Sequence, residues 1–89
     1  MGVEFDPAKS DANKAKHGID FNEATKLRED AGRIEIPART TGESRFMVVG
    51  KIDGRHWSGV ITYRGEKTRI VSVRRSRPEE VELYESQGE

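Results

Sequence analysis

The first thirty residues follow the spacing of two short helices. Three alanines between residues 8 and 15 fall on one side of a helix. Asp6-Pro7 places a capping side chain and a proline where a helix begins, and Gly18 stands where one ends. The pattern predicts a first helix from Pro7 to about His17.

Two further helices are indicated by capping signals. Asp20-x-x-Glu23 resembles a capping box and predicts a second helix that ends between Arg28 and Asp30. Ser76-x-x-Glu79 resembles another and predicts a short acidic helix through about Ser86.

The middle of the chain alternates between apolar and polar residues, as strands do. Pro37 closes the first of these runs and so indicates an edge strand. Asp53-Gly54 lies between two apolar runs, which is a strong hairpin signal. The predicted strands are Arg33 to Ile36, Arg45 to Ile52, His56 to Tyr63 and Thr68 to Arg74.

The resulting order, α-α-β-β-β-β-α, predicts an α+β fold. We expect one domain over residues 1–89, because 89 residues leave no room for a second core. Two N-terminal helices would cover one face of a four-stranded antiparallel sheet, with a short C-terminal helix after it. The other face would be free for a ligand.

Composition excludes several classes of site. The chain has no cysteine, and His17 and His56 stand far apart without ligand spacing, so we expect neither a metal site nor a cofactor. No apolar stretch is long enough to span a membrane, and the expected location is cytoplasmic.

The net charge of zero hides a strong asymmetry along the chain. Residues 45–78 carry nine basic and two acidic residues, a balance of 9 − 2 = +7. Residues 1–44 balance at 7 − 9 = −2, and the last eleven residues hold five glutamates and no base. A basic middle segment suits a surface that meets phosphates on one side.

Arginines on the later strands are the main candidates for chemistry. RNA cleavage without a metal needs a base, an acid and cations that hold the phosphorane charge, and guanidinium suits the last task. Arg64 and the Arg74-Arg75 pair are the candidates, and we expect Arg64 to share a pocket with at most one of that pair. The alternative is that these arginines are solvated or pair with the C-terminal glutamates.

Histidines and aromatic residues leave the choice of role open. His17 suits general acid-base chemistry, but a cation that stabilises a helix C-terminus explains its position equally well. His56, beside the hairpin turn, is interpreted as a surface residue. Phe46 is interpreted as core, while Trp57 and Tyr63 suit either a core or stacking on RNA bases.

Two segments carry a family pattern that covers most of the chain apart from residues 25–44. The N-terminal segment reads Phe5-Asp6-Pro7-x-Lys9-x-x-x-Asn13-x-x-Lys16-His17-Gly18-Ile19-x-Phe21-x-Glu23-Ala24. The second comprises Arg45-Phe46, Gly50, Tyr63-Arg64 and Arg69-Ile70-Val71-Ser72-Val73-Arg74-Arg75, followed by Glu80 and Tyr84. Together they resemble the BrnT toxins, with a departure at Leu27-Arg28-Glu29-Asp30.

The resemblance implies a RelE-like fold and a ribonuclease that inhibits translation. It also implies a BrnA-like antitoxin with a ribbon-helix-helix domain, bound in a hetero-oligomeric complex. The implied active-site candidates are Lys16, His17, Arg64, Arg74 and Arg75. Of these we expect His17, Arg64, Arg74 and Arg75 to be catalytic, and we expect RNA contacts from Lys16, Arg45 and Arg69. Two other hypotheses are a non-catalytic module whose basic face binds an acidic partner or nucleic acid, and a chain that folds only with its partner.

Overall fold

A computed structural model of the chain describes residues 2–38 and 42–87. Its elements, in chain order, are β1 (Gly2–Glu4), α1 (Pro7–His17), α2 (Phe21–Ala24) with a 3-10 turn (Thr25–Glu29), β2 (Ile34–Ala38), β3 (Arg45–Ile52), β4 (Arg55–Arg64), β5 (Lys67–Arg75) and α3 (Pro78–Ser86). None of the helices in the described ranges is long and apolar enough to cross a membrane.

The sheet has five strands in the order β1-β5-β4-β3-β2. Strand β1 pairs with β5 in parallel, and the other neighbours are antiparallel. The predicted four-stranded antiparallel sheet is therefore wrong in strand number and in the direction of one pairing, although the α+β class is confirmed. The sequence Gly2-Val3-Glu4 is too short to show a strand period, so its pairing comes from the tertiary context.

Helix α1 has the predicted bounds and the predicted ends. The side chain of Asp6 accepts a hydrogen bond from the Ala8 amide at 2.9 Å, and Gly18 adopts a left-handed φ of 80° after the last turn. Buried Asn13 bonds the backbone N–H and C=O of Val73, which lies on β5 beyond the end of β1. The helix thus covers a strand edge that would otherwise be unpaired.

Alternation along β4 defines two faces of the sheet. The core face carries Trp57, Gly59 and Ile61, and the outer face carries Ser58, Val60 and Thr62. The buried apolar residues are Ile19, Phe21, Ala24, Leu27, Val48, Val49, Trp57, Ile61, Ile70 and Val73. Most of them join α2 and the 3-10 turn to the core face.

Helix α3 lies against the outer face, so the prediction of a free second face is wrong for this part of the sheet. Glu80 accepts hydrogen bonds from Ser58 on β4 and Arg74 on β5, both at 2.8 Å. The N-cap is also one residue later than predicted, because Glu80 bonds the Arg77 amide where the pattern indicated Ser76 and Glu79.

Candidate active site

Arg74 is the most firmly held of the predicted catalytic arginines. Its two terminal nitrogens donate to the two carboxylate oxygens of Glu80, each at 2.8 Å. The Arg74 guanidinium holds the pKa of Glu80 at about 2, and Glu80 in turn raises the pKa of Arg74. The Glu80 side chain is only 9% exposed, so this pair forms part of the folded framework.

Arg75 points to the opposite side of the sheet from Arg74, as alternation requires. Its guanidinium lies 5.4 Å from the centre of the Trp57 ring, on the core face. The residue is exposed, and none of the carboxylates in the described ranges forms an ion pair with it. The Trp57 ring therefore holds the Arg75 side chain in place, while the N–H donors of its guanidinium are open to a ligand.

Lys16 and His17 lie in the last turn of α1, after Asn13, which bonds Val73 on β5. Helix α1 follows β1, which runs parallel to β5, and Asn13 is bonded to Val73. One more helical turn, about 6 Å, leads to His17, and two more strand residues, about 7 Å, lead to Arg75. Both ends therefore lie a short way along the chain from the contact between Asn13 and Val73.

Arg64 does not share a pocket with the Arg74-Arg75 pair. Arg74 is paired with Ser58, whereas Arg64 is paired with Lys67 at the other end of β4. Six residues of strand separate Ser58 from Arg64, which is about 20 Å. The expectation of a gathered arginine pocket is thus wrong, because strand register rather than composition decides which end of the sheet each arginine occupies.

The remaining basic candidates lie on the outer face with Arg64. Arg69 donates to Glu4 at 2.8 Å, a pair formed across the β1–β5 pairing. Arg45 and Arg64 lie 3.8 and 3.6 Å from the Glu43 carboxylate. The contacts of Arg45 and Arg64 are long and well exposed, so a phosphate could replace the carboxylate at small cost.

His56 is more enclosed than predicted. Its Nε2 lies 2.7 Å from the Glu85 carboxylate and its ring meets Tyr84 edge-on at 5.2 Å, with 20% of the side chain exposed. Trp57 and Phe46 belong to the core or pack against it, whereas Tyr63 is 49% exposed. Of Trp57 and Tyr63, the two aromatic residues left open for RNA stacking, Tyr63 is the one accessible to a base.

A cavity of about 270 Å³ on the core face is a feature that sequence reasoning missed. Helix α2 and the 3-10 turn cover only part of this face, and Ile61, Ile70 and Tyr63 line the part they leave. Arg28 and Arg33 lie on its wall. Arg28 lies in the segment Leu27-Arg28-Glu29-Asp30, where the sequence departs from the family pattern. That departure is the signal in the sequence that pointed to this segment.

A family model for the ribonuclease toxin BrnT of type II toxin-antitoxin systems matches residues 5–80. The chain belongs to the BrnT family. A search of curated proteins found no match.

The BrnT match covers every predicted site residue, from Lys16 to Arg75, and it ends at Glu80. A type II toxin of this family implies an RNA target and an antitoxin partner. The matched segment therefore includes the Arg74–Glu80 pair, the C-terminal end of α1 and the end of β5.

Proposed function

We propose that this BrnT-family chain is a metal-independent endoribonuclease whose active centre lies where α1 and β5 end. The observation that carries the proposal is the exposed Arg75 guanidinium, stacked on Trp57 at the end of β5 toward which α1 leads. Lys16 and His17 supply the further polar groups at this place. Cleavage of RNA here would inhibit translation.

The chemistry required is a transfer of the phosphodiester from one oxygen to another. A base removes the proton of the 2′-hydroxyl, the 2′-oxygen attacks phosphorus, and the 5′-oxygen leaves with a proton from an acid. His17 is the proposed acid-base group, since imidazole changes charge near neutral pH. Arg75 would hold the negative charge that develops on the phosphorane oxygens, with Lys16 as a second cation.

Arg74 has a positioning role in this proposal. Its donors are occupied by Glu80, and its backbone connects directly to Arg75. The ion pair fixes the end of β5, and with it the direction of the Arg75 side chain. Arg64, Arg45 and Arg69 would contact phosphates further along the RNA, across the outer face.

The partner that fits this family is a BrnA-like antitoxin with a ribbon-helix-helix domain, in a hetero-oligomeric complex. Co-expression of the toxin with such a protein should restore growth and yield a complex that elutes together from a sizing column. Growth arrest unchanged by the partner would contradict this part of the proposal.

The test of the activity is incubation of the purified chain with RNA in EDTA, with analysis of the product ends. We expect 2′,3′-cyclic phosphate ends, because attack by the 2′-oxygen produces them. RNA that stays intact at high protein concentration would contradict the activity, and cleavage abolished by EDTA would contradict metal independence.

The Arg74–Glu80 pair favours a second candidate, a non-catalytic module that binds nucleic acid or an acidic partner. A guanidinium already bound by a carboxylate is not free to hold a phosphorane, and the outer-face arginines also lie near carboxylates. This candidate predicts salt-sensitive RNA binding without cleavage, so the product ends distinguish the two.

A further inference from the structure

The core-face cavity has the size and floor of a site for one planar ring system. Its volume of about 270 Å³ lies just below the range of ~300–1,000 Å³ typical of small-molecule pockets. Val48, Ile61 and Ile70 form an apolar floor, and Gly59, paired with Val48, lines it without a side chain of its own. Such a floor contacts the face of a ring without demanding hydrogen bonds.

One wall of the cavity carries an aromatic ring and a carboxylate in fixed positions. Tyr63 packs against Phe46 with ring centres 5.5 Å apart, and its hydroxyl donates to Glu35 at 2.7 Å. The other Glu35 oxygen has no hydrogen-bond partner within the described part of the chain. It is a free acceptor at the edge of an apolar pocket.

Two guanidinium groups lie on the same wall. Arg28 and Arg33 line the cavity. Burial and Glu35 raise the pKa of Tyr63, and the charges of the two arginines partly oppose this rise. Within residues 2–38 and 42–87, neither arginine has an ion pair with a carboxylate. One terminal nitrogen of Arg33 donates to the Asp30 carbonyl at 3.1 Å, which leaves the other donors of Arg33 and the Arg28 guanidinium for an anionic group attached to the ring.

We propose that this cavity binds a nucleobase of the RNA, preferentially guanine, with its phosphate held by Arg28 and Arg33. Guanine presents two adjacent N–H donors on its Watson–Crick edge, and a carboxylate only accepts, so Glu35 selects for that edge. The base face would lie along the Tyr63 ring. This inference rests on the proposed function for its biological meaning.

The location of the cavity suits an RNA strand that also contacts the outer face. Gly65 and Glu66, in the turn after Arg64, line the cavity, so the turn lies between the two surfaces. A strand whose phosphates contact Arg64 would pass the mouth of the cavity. The bound base would then lie several nucleotides from a cleavage site near Arg75, which makes it a determinant of sequence preference.

A partner peptide is less compatible with the same wall. An acidic segment would suit Arg28 and Arg33, but it would bring its carboxylates close to Glu35 and Glu66, which also line the cavity. A nucleotide has its negative charge at the phosphate and donors on its base, which matches both kinds of group on this wall.

The test is a titration of the methyl-labelled full chain with guanosine monophosphate, followed by NMR. The reporters are Ile61 and Ile70 in the cavity, with Ile34 and Ile36 on the outer face as internal controls. We expect shifts at the reporters alone and an affinity for guanosine monophosphate about fivefold or more above that for uridine monophosphate. Glu35→Gln should remove the preference for guanosine monophosphate, since the glutamine NH2 group would face the N–H donors of guanine.

Arg28→Ala should weaken the binding of every nucleotide. Arg55→Ala, which changes an exposed arginine away from the cavity, should leave nucleotide affinity unchanged. Absence of shifts at Ile61 and Ile70 at millimolar nucleotide would overturn the inference. So would tighter binding, at the same methyl groups, of a peptide that combines acidic residues with phenylalanine. Cleavage of RNA without nucleotide binding would overturn the base site alone. Nucleotide binding without cleavage would support the base site and contradict the proposed nuclease.

Discussion

Replacing Glu80 with glutamine tests the framework that fixes the end of β5. The pKa of Glu80 falls from 4.5 to about 2, first because of the Arg74 hydrogen bonds and then because of the Arg77 amide and Ser58, against the cost of burial. At about 1.4 kcal/mol per tenfold change in proton affinity, the charged carboxylate stabilises the fold by about 3 kcal/mol. The Glu80→Gln variant keeps the shape and loses this contribution.

The sign of the pH dependence follows from the lowered pKa. The contribution is complete above the ordinary carboxylate pKa and is lost as pH falls from about 5 toward 2, because the unfolded chain takes up the proton first. We therefore expect Glu80→Gln to lower the free energy of unfolding by about 3 kcal/mol at pH 7 and by little near pH 2. For a chain of this size the melting temperature should fall by more than about 10 °C at pH 7.

Urea denaturation of wild type and variant at several pH values measures both effects. Glu79→Gln is the matched control, since Glu79 is the exposed neighbour of the buried Glu80 in the first turn of α3. Equal stability of the two variants at pH 7 would refute the reasoning. A loss of the same size at pH 7 and at low pH would also refute it.

Two further predictions concern side chains that bond across elements. Asn13→Ala should lower the free energy of unfolding by about 2–4 kcal/mol, because it leaves backbone groups of Val73 and Ile19 without partners. Lys9→Ala on the same helix should cost under about 0.5 kcal/mol, and similar values for both would contradict the strand-edge role. Tyr84 donates to Asp30, which raises the pKa of Tyr84 to about 12, so Tyr84→Phe should remove an alkaline absorbance transition near that pH. The bond stabilises the fold below about pH 10 and is lost toward pH 12; an unchanged titration would contradict it.

Local signals in the sequence predicted most elements of this fold. Asp53 and Gly54 both have positive φ, 51° and 80°, which is the two-residue turn that an Asp-Gly pair indicates. Strand β3 has its predicted bounds, and α1 begins and ends as its caps predict. These features depend on a few neighbouring residues, so the local pattern is enough.

Long-range pairing was beyond the reach of the same reasoning. Strand β1 forms because β5 offers an edge, and three residues carry no period of their own. A one-residue bulge at Val71, between the pairs Val60–Ser72 and Ile61–Ile70, resets the face of each later residue. The pairing of an arginine with a C-terminal glutamate was open as an alternative, and for Arg74 it is confirmed.

The catalytic roles of the candidate residues stay a prediction. Charge and family resemblance indicated the residue types, and the Asn13–Val73 bonds link α1 to β5. The separation of Arg64 follows from strand register, which composition does not encode. Pairing with the C-terminal glutamates was an open alternative, but the choice of Glu80 as the partner of Arg74 follows from the packing of α3 on the sheet, which the local pattern does not encode.

The most direct test of the account compares cleavage rates of Arg75→Ala and Arg64→Ala on one RNA in EDTA, with melting curves to verify folding. Loss of a group that stabilises transition-state charge typically costs about 100-fold or more, so we predict that fall for Arg75→Ala and less than about 10-fold for Arg64→Ala, a phosphate contact. An equal or larger loss for Arg64→Ala would contradict an active centre at the end of β5.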